Sequence, residues 1–281
     1  MRSKVCLVTG ANSGIGKATA LALATRGATV AMVCRDRGRG EAARAEIAEM
    51  SGNESVELLV ADLSSQGAIR RLAEEFARRH RRLDVLVNNA GAIIGTRRLT
   101  EDGIEATFAL NHLAYFLLTN LLLDVLKASA PSRIVNVSSN AHKGATIDFD
   151  DLQMERGYAG MRVYDHSKLA NVLFTYELAK RLEGTGVAAN CMHPGVVATR
   201  LAKDAALWLR ILWPLMSPML LSPEKGAETV VYLASSPDVE GVTGKYFVEK
   251  TPVKTSEESY NKEVASRLWD ASAELVKLDE M

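Results

Sequence analysis

The chain has 281 residues, room for one large α/β domain or two small ones, and its 47% apolar content is ordinary for a protein with a full core. Its 34 lysines and arginines balance 34 aspartates and glutamates, so the formal charge is zero. That balance argues against nucleic acid or an acidic surface as partner.

The N-terminus, MRSKVCLVTG, runs straight into a strand with no signal peptide or membrane anchor before it, which predicts a cytoplasmic protein. A helix follows over about Gly14 to Arg26, then a strand over Ala28 to Cys34 and a helix rich in Ala, Arg and Glu to Met50. Next come a strand in VELLVADL and a helix from about Gln66. The RRHRR cluster, Arg78 to Arg82, falls at the end of that helix, where cations favour the dipole and exposed carbonyls. DVLVNNAG is a strand, about Asn111 to Lys127 is helical, and RIVNVSS is a strand. A helix around Tyr164 to Leu182 and the strand GVAANCMHPG follow. The irregular stretch 199–221 precedes a helix near Glu224 to Ser235, a strand near Lys245 to Phe247 and a final amphipathic helix, 255–278. Ser222-Pro223-Glu224 marks one helix start, and Thr255 with Glu258 forms a capping box for the last.

The strands are continuous apolar runs, the pattern of strands covered on both faces. Repeated strand–helix units with right-handed crossovers then predict an α/β fold with a doubly wound parallel sheet, built as a single domain over 1–281. Cys6, Cys34 and Cys191 each fall in an apolar run without metal-ligand spacing, so no metal is expected and the thiols read as buried and free, as in a reducing compartment. The stretch 199–221 would hang over the carboxyl ends of the strands as a substrate lid. Within it, Ala206 to Leu221 is apolar but short for a bilayer span and interrupted by Arg210, Pro214 and Pro218, so no integral membrane segment is predicted. Lid, subunit contact in a homo-oligomer and peripheral membrane contact stay open for it.

TGANSGIG follows a strand and opens a helix, the context of a phosphate-binding turn made by Gly10, Asn12, Ser13, Gly14, Ile15 and Gly16. Gly10 permits the sharp turn, Gly14 the approach of a pyrophosphate, and Gly16 close helix–strand packing, with the helix N-terminus supplying positive potential. At the end of the second strand an acid would bind adenosine ribose hydroxyls and reject a 2′-phosphate. Here the strand ends Val33-Cys34-Arg35-Asp36. Cys34 cannot do that job, Arg35 can pair with a phosphate, and Asp36 is expected to turn away or pair with a neighbour. NADP(H) is therefore read over NAD(H). Asp62 and Leu63 end the third strand, where they can meet the adenine edge. Asn89, Ala90 and Gly91 end the fourth, where small residues let the chain pass under the adenosine ribose.

Tyr164 and Lys168 stand one helical turn apart in VYDHSKLAN. Alone the pair is a weak signal. Here it follows TGANSGIG, NNAG, Asn111 and the Ser138-Ser139 pair, and precedes Pro194-Gly195 with Thr199, in one order along one chain. With these motifs the chain resembles the short-chain dehydrogenases/reductases, whose fold is Rossmann-type, over nearly its whole length. Within them it is most similar to the retinol dehydrogenase group, through CRDRGRGE, NHLAYFLLT, HSKLANVLFT and HPG-x-x-x-T.

The resemblance implies roles. Tyr164 would be the general acid in reduction and the base in oxidation. Lys168 would lower the phenol's pKa from about 10 and bond the nicotinamide ribose. Ser139, the second serine of its pair, would hold the substrate oxygen. Asn111 would anchor a water linked to Lys168. Pro194, Gly195, Val197 and Thr199 would shape the carboxamide site. The inserted segment HKGATIDFDDLQMERGYAGMRV would border the substrate pocket. His142, His166 and His193 are expected to pack or hydrogen-bond rather than react. The expectation is an NADP(H)-dependent alcohol dehydrogenase or carbonyl reductase for a small lipophilic substrate such as a retinal-like aldehyde, a ketone or the corresponding alcohol. A catalytically idle NADP-binding sensor or scaffold is the alternative, and the intact Asn, Ser, Tyr and Lys set argues against it.

Overall fold

The computed structural model describes residues 1–197 and 220–278. Thr199 and the expected lid up to Met219 lie outside the described residues. Seven parallel strands are β1 (Val5–Thr9), β2 (Thr29–Cys34), β3 (Val56–Val60), β4 (Val85–Asn88), β5 (Ser132–Val137), β6 (Val187–His193) and β7 (Tyr246–Val248). An eighth, β8 (Thr251–Val253), turns back antiparallel on β7. The sheet order is β3-β2-β1-β4-β5-β6-β7-β8. The chain reverses direction across the sheet between β1 and β4, and a doubly wound sheet opens a crevice at the carboxyl ends of strands at such a point.

Alternate side chains of the inner strands β1, β2, β4 and β5 feed two separate cores. Leu7, Ala31, Leu86 and Ile134 face a layer of α3 (Gln66–Arg79), α5 (Ala114–Leu121), α7 (Gly160–Arg181) and α9 (Lys262–Leu275). Cys6, Met32, Val87 and Val135 face a layer of α1 (Gly14–Thr25), α2 (Arg37–Ser51) and α8 (Pro223–Ser235). Both faces being covered explains why the strands read as unbroken apolar runs. The three cysteines are buried and free, and among the described residues no helix is long and apolar enough to cross a membrane.

Local chemistry sets most helix starts. Asp36 caps α2 by accepting from Arg39 N, Ser65 caps α3, and Ser222 with Pro223 opens α8 as expected. The RRHRR cluster closes α3 and pairs locally: Arg79 with Glu57 and Glu75, Arg82 with the buried Asp84.

Four features depart from the expected pattern. The capping box at Thr255 and Glu258 does not start the last helix. Residues Glu257–Tyr260 form a 3-10 turn, Thr255 Oγ1 pairs with Tyr176 Oη, and α9 starts at Lys262 with Asn261 as its cap. The helical region around Asn111 to Lys127 is three helices, not one: α4 (Ala106–Phe108) runs through a π-turn (Ala109–Leu113) into α5, and a break at Leu122 precedes α6 (Leu123–Ala128). Helix α7 starts at Gly160, a turn before Tyr164. Strand β8 was not expected; Glu249 and Lys250, both at positive φ, make the two-residue turn before it.

Candidate active site

The cleft at the β1/β4 crossover encloses about 900 Å³, near the top of the range for ligand pockets, roughly 300–1,000 Å³. One end is main chain. Gly10 and Gly14 sit at φ +65° and +55°, conformations that side chains resist. A Cβ on Gly16 would collide with the Gly10 carbonyl and the Asn89 amide. Asn89 Nδ2 donates to Thr9 O at 2.8 Å, and the main-chain N–H groups of Asn89 and Ala90 donate to Thr9 Oγ1 at 2.8 and 3.0 Å. These bonds lock the end of β4 to the end of β1. Ser13, at the N-cap of α1, makes no side-chain cap bond, and the first turn of α1 has no acid. The N-terminal N–H groups and their dipole are thus left for a ligand, as a pyrophosphate requires. Asn12, Ser13 and Ile15 line the same wall. These residues fit the phosphates of a dinucleotide.

At the adenosine end, Asp36 spends its carboxylate on the cap of α2, Arg39 N to Oδ1 at 2.8 Å. Cys34 Sγ turns to Asp36 O at 3.4 Å. Arg35 is open to the cleft mouth, with Nη1 3.6 Å from Asp62 Oδ2, and Asp62 is itself held by Ser64 N and Oγ. Arg39 lines the same mouth. Sequence reasoning missed it, although a residue in the first turn of a helix entered right after Arg35 was a usable signal. Leu63 and Ala90 complete this wall.

The opposite end is buried side chain. Ser138 and Ser139 part company: Ser138 Oγ turns inward to Lys168 O at 2.8 Å, whereas Ser139 faces the cleft beside Tyr164 and its Oγ accepts from Ala141 N at 3.2 Å. Burial pushes the phenol up to about 12, although the neighbouring Ser139 side chain works the other way. Burial also pulls Lys168 down to about 7. Its ammonium donates to Val137 O at 3.0 Å and lies 5.4 Å from the centre of the Tyr164 ring. In the protein alone, then, burial outweighs the lowering of the tyrosine pKa expected from Lys168.

Asn111 sits in the π-turn, a form of winding common at functional sites. Its side chain pairs with both polar groups of Ala92, accepting from N at 2.9 Å and donating to O at 3.0 Å, and it donates to Ser167 Oγ at 3.0 Å. Ser167 Oγ in turn donates to Tyr164 O. Asn111 therefore staples the chain after Gly91 to α7. A Cβ on Gly91 would stand 3.1 Å from Asn111 Oδ1 and 3.7 Å from Lys168 Nζ.

The rest of the cleft is mainly apolar, with Ile93, Ile94, Leu99, Leu110, Met161 and Val196 on its walls. Pro194, Gly195 and Val197 line it beside them. Leu99, Met161 and Val196 are about half exposed or more at its rim. The inserted segment docks on this wall: Tyr158 Oη donates to Ile94 O at 2.8 Å, and Gln153 Oε1 accepts from Glu105 N at 3.1 Å. His142 Nδ1 bonds Ser139 O at 2.7 Å, and His193 Nδ1 accepts from Asn140 N at 3.3 Å. His166 stacks on Phe108, with its ring nitrogens unpaired.

The model of a family described as short chain dehydrogenase matches residues 4–210. The chain is 47% identical to retinol dehydrogenase 12 of Mus musculus over 273 residues, 97% of this chain and 86% of that protein. A solved protein of Mycobacterium paratuberculosis superposes with a TM-score of 0.80 at 34% identity, covering 98% of this chain and 94% of that one. The Pseudomonas aeruginosa RhlG/NADP active-site complex superposes with a TM-score of 0.69 at 29% identity, covering 88% and 94%.

Proposed function

The chain belongs to the short-chain dehydrogenase family and is an oxidoreductase, and from that premise we propose that it transfers hydride between NADP(H) and a lipophilic aldehyde, ketone or alcohol. The observation that carries the reading is the meeting of Ser139, Tyr164 and Lys168 on one wall of a cleft whose other wall is the glycine turn. The nicotinamide, when bound, supplies or accepts the hydride. Ser139 Oγ and the Tyr164 phenol hold the substrate oxygen between them, and the phenol gives that oxygen its proton in reduction and takes it back in oxidation. Lys168 holds the nicotinamide ribose and, with its charge, favours the phenolate. A water at Asn111, linked to Lys168, returns the proton to solvent. The Lys168 charge would act together with that of an oxidised nicotinamide, against the burial that holds the phenol at about 12.

Two further features support the details. Arg35 and Arg39 at the mouth, with Asp36 committed to its helix, favour a 2′-phosphate. The apolar walls suit a lipophilic substrate, as does the likeness to a retinol dehydrogenase. The test is turnover of a panel of lipophilic and short aldehydes, ketones and alcohols with NADPH, NADH and their oxidised forms. Reduction or oxidation of the lipophilic members with the phosphorylated coenzyme is expected. Tight coenzyme binding without turnover of any of them would favour the idle sensor instead.

A further inference from the structure

Between α5, α7 and α9 a string of polar side chains runs through an aromatic core. Asn111, His112, Asn171 and Ser272 are at most 1% exposed. Asn171 Nδ2 donates to the main-chain carbonyl of Asn111 at 2.9 Å. A carbonyl can only accept, so the amide's orientation is forced and its Oδ1 faces His112 Nδ1 at 3.3 Å. Nδ1 must therefore carry the ring proton. Burial keeps the ring neutral, pulling it down to about 3. Nε2 is then an acceptor, and the Ser272 hydroxyl donates to it at 2.9 Å. Phe108, at 5.1 Å, and Phe174, at 6.1 Å between ring centres, hold the imidazole in place. Each link admits one polarity only.

We propose that Ser272, His112 and Asn171 are positioning residues for the reaction, a one-way hydrogen-bond chain through which the C-terminal helix α9 sets the π-turn that carries Asn111. The inference rests on the function proposed above. Asn111 pairs with Ala92 at the cleft and reaches the main chain of Tyr164 through Ser167, so the winding of its turn bears on the placing of α7. Removing the Ser272 hydroxyl leaves Nε2 a buried acceptor without a partner and cuts the tie between α9 and the ring, while the Asn111 carbonyl keeps the polarity of the other links. The imidazole is then free to shift, and Asn171 and the Asn111 turn shift with it. A remote change is thereby delivered to the site as a loosening of the turn. Buried polar groups are ordinarily satisfied for stability alone, and a purely structural string would lower the melting temperature without changing kcat.

The experiment compares Ser272→Ala, Ser272→Thr and Asn171→Asp in the full-length protein. For Ser272→Ala we expect kcat to fall about three- to tenfold with KM and the NADPH Kd nearly unchanged. Ser272→Thr, which keeps the hydroxyl, should restore it. Asn171→Asp, which puts an acceptor against the Asn111 carbonyl, should cost more than Ser272→Ala. Variants that stay folded and keep native kcat overturn the proposal, as does a loss of kcat, KM and Kd together in step with melting temperature. A readout independent of turnover is ¹⁵N NMR of histidine-labelled protein, in which the His112 signal is the one that moves in Ser272→Ala. A neutral Nδ1–H tautomer between pH 6 and 8 is expected; an Nε2–H tautomer or an imidazolium overturns the chain even if Asn171→Asp does not fold. If no carbonyl substrate is turned over, the function reading has failed and the tautomer still decides this one.

Discussion

The two ends of the cleft are built from different materials. The phosphate end is main chain: glycines at positive φ and the open N–H groups of α1, locked to β4 by Thr9 and Asn89. Such a site has nothing to titrate, and it costs the fold little because helix N-termini carry orphan donors anyway. The Tyr164 end is side chain, and its ionisable groups sit where burial opposes their charged forms, up to about 12 for Tyr164 and down to about 7 for Lys168. One end should therefore fail through shape and the other through charge, and substitutions at each should separate binding from chemistry.

The largest effect is expected at Tyr164. Tyr164→Phe keeps the ring and its packing but removes the proton. Proton transfer by a placed side chain is worth about 10²–10⁴-fold, so kcat should fall by that order while coenzyme affinity survives. Steady-state kinetics and a fluorescence titration of coenzyme check the pair. A near-native rate would remove Tyr164 from the chemistry and erase the contrast.

Gly16→Ala attacks the other end. The new methyl meets the Gly10 carbonyl, which is backbone and cannot swing aside. Overpacking of this kind costs about 1–3 kcal/mol, so coenzyme affinity should drop by about tenfold or more while kcat at saturating coenzyme holds. Unchanged affinity would mean that the close approach at Gly16 has nothing to do with the ligand.

Selectivity at the adenosine mouth is a smaller effect. Arg35→Ala should narrow the preference for NADPH over NADH by about 1–2 kcal/mol, the worth of a hydrogen bond to a charged group. Arg39→Ala should narrow it further in the double variant. Tighter binding of NADH than NADPH by the native protein would refute the cofactor choice outright.

The same contrast explains what could be read in advance. Strands β1 to β6, the glycine turn and the Ser222 cap are local features, visible as apolar runs, φ-permissive residues and capping chemistry. Asp36 was readable in part: it was expected to turn away or pair, and it caps α2. The misses are tertiary. Thr255 and Glu258 have the right spacing for a capping box, but Thr255 is claimed by Tyr176 and the helix starts at Lys262 with Asn261 as its cap. The π-turn at Asn111 is invisible in a pattern of apolar residues, because it depends on Ala92, Ser167 and Asn171 arriving from elsewhere. The early start of α7 at Gly160 follows from close packing against Ile94 and Gly95, where a side chain would clash.

The smallest effect concerns the stability cost of the side-chain end. Lys168 is 3% exposed and, among the described residues, makes no ion pair with a carboxylate; its ammonium donates to the Val137 carbonyl. Burial lowers its pKa from 10.5 to about 7. Between those two values the unfolded chain binds a proton that the folded chain does not, so this group makes stability rise with pH across that window. Below about pH 7 both states are protonated, and the full cost of burying the charge is felt. Lys168→Met keeps the apolar stem and discards the charge. It should abolish turnover yet raise the melting temperature, most at pH 6 and progressively less as pH climbs toward 10. Thermal unfolding followed by circular dichroism at several pH values checks this. An equal gain at pH 6 and pH 10 would assign the change to packing, and a loss at pH 6 would show that the buried ammonium stabilises the fold.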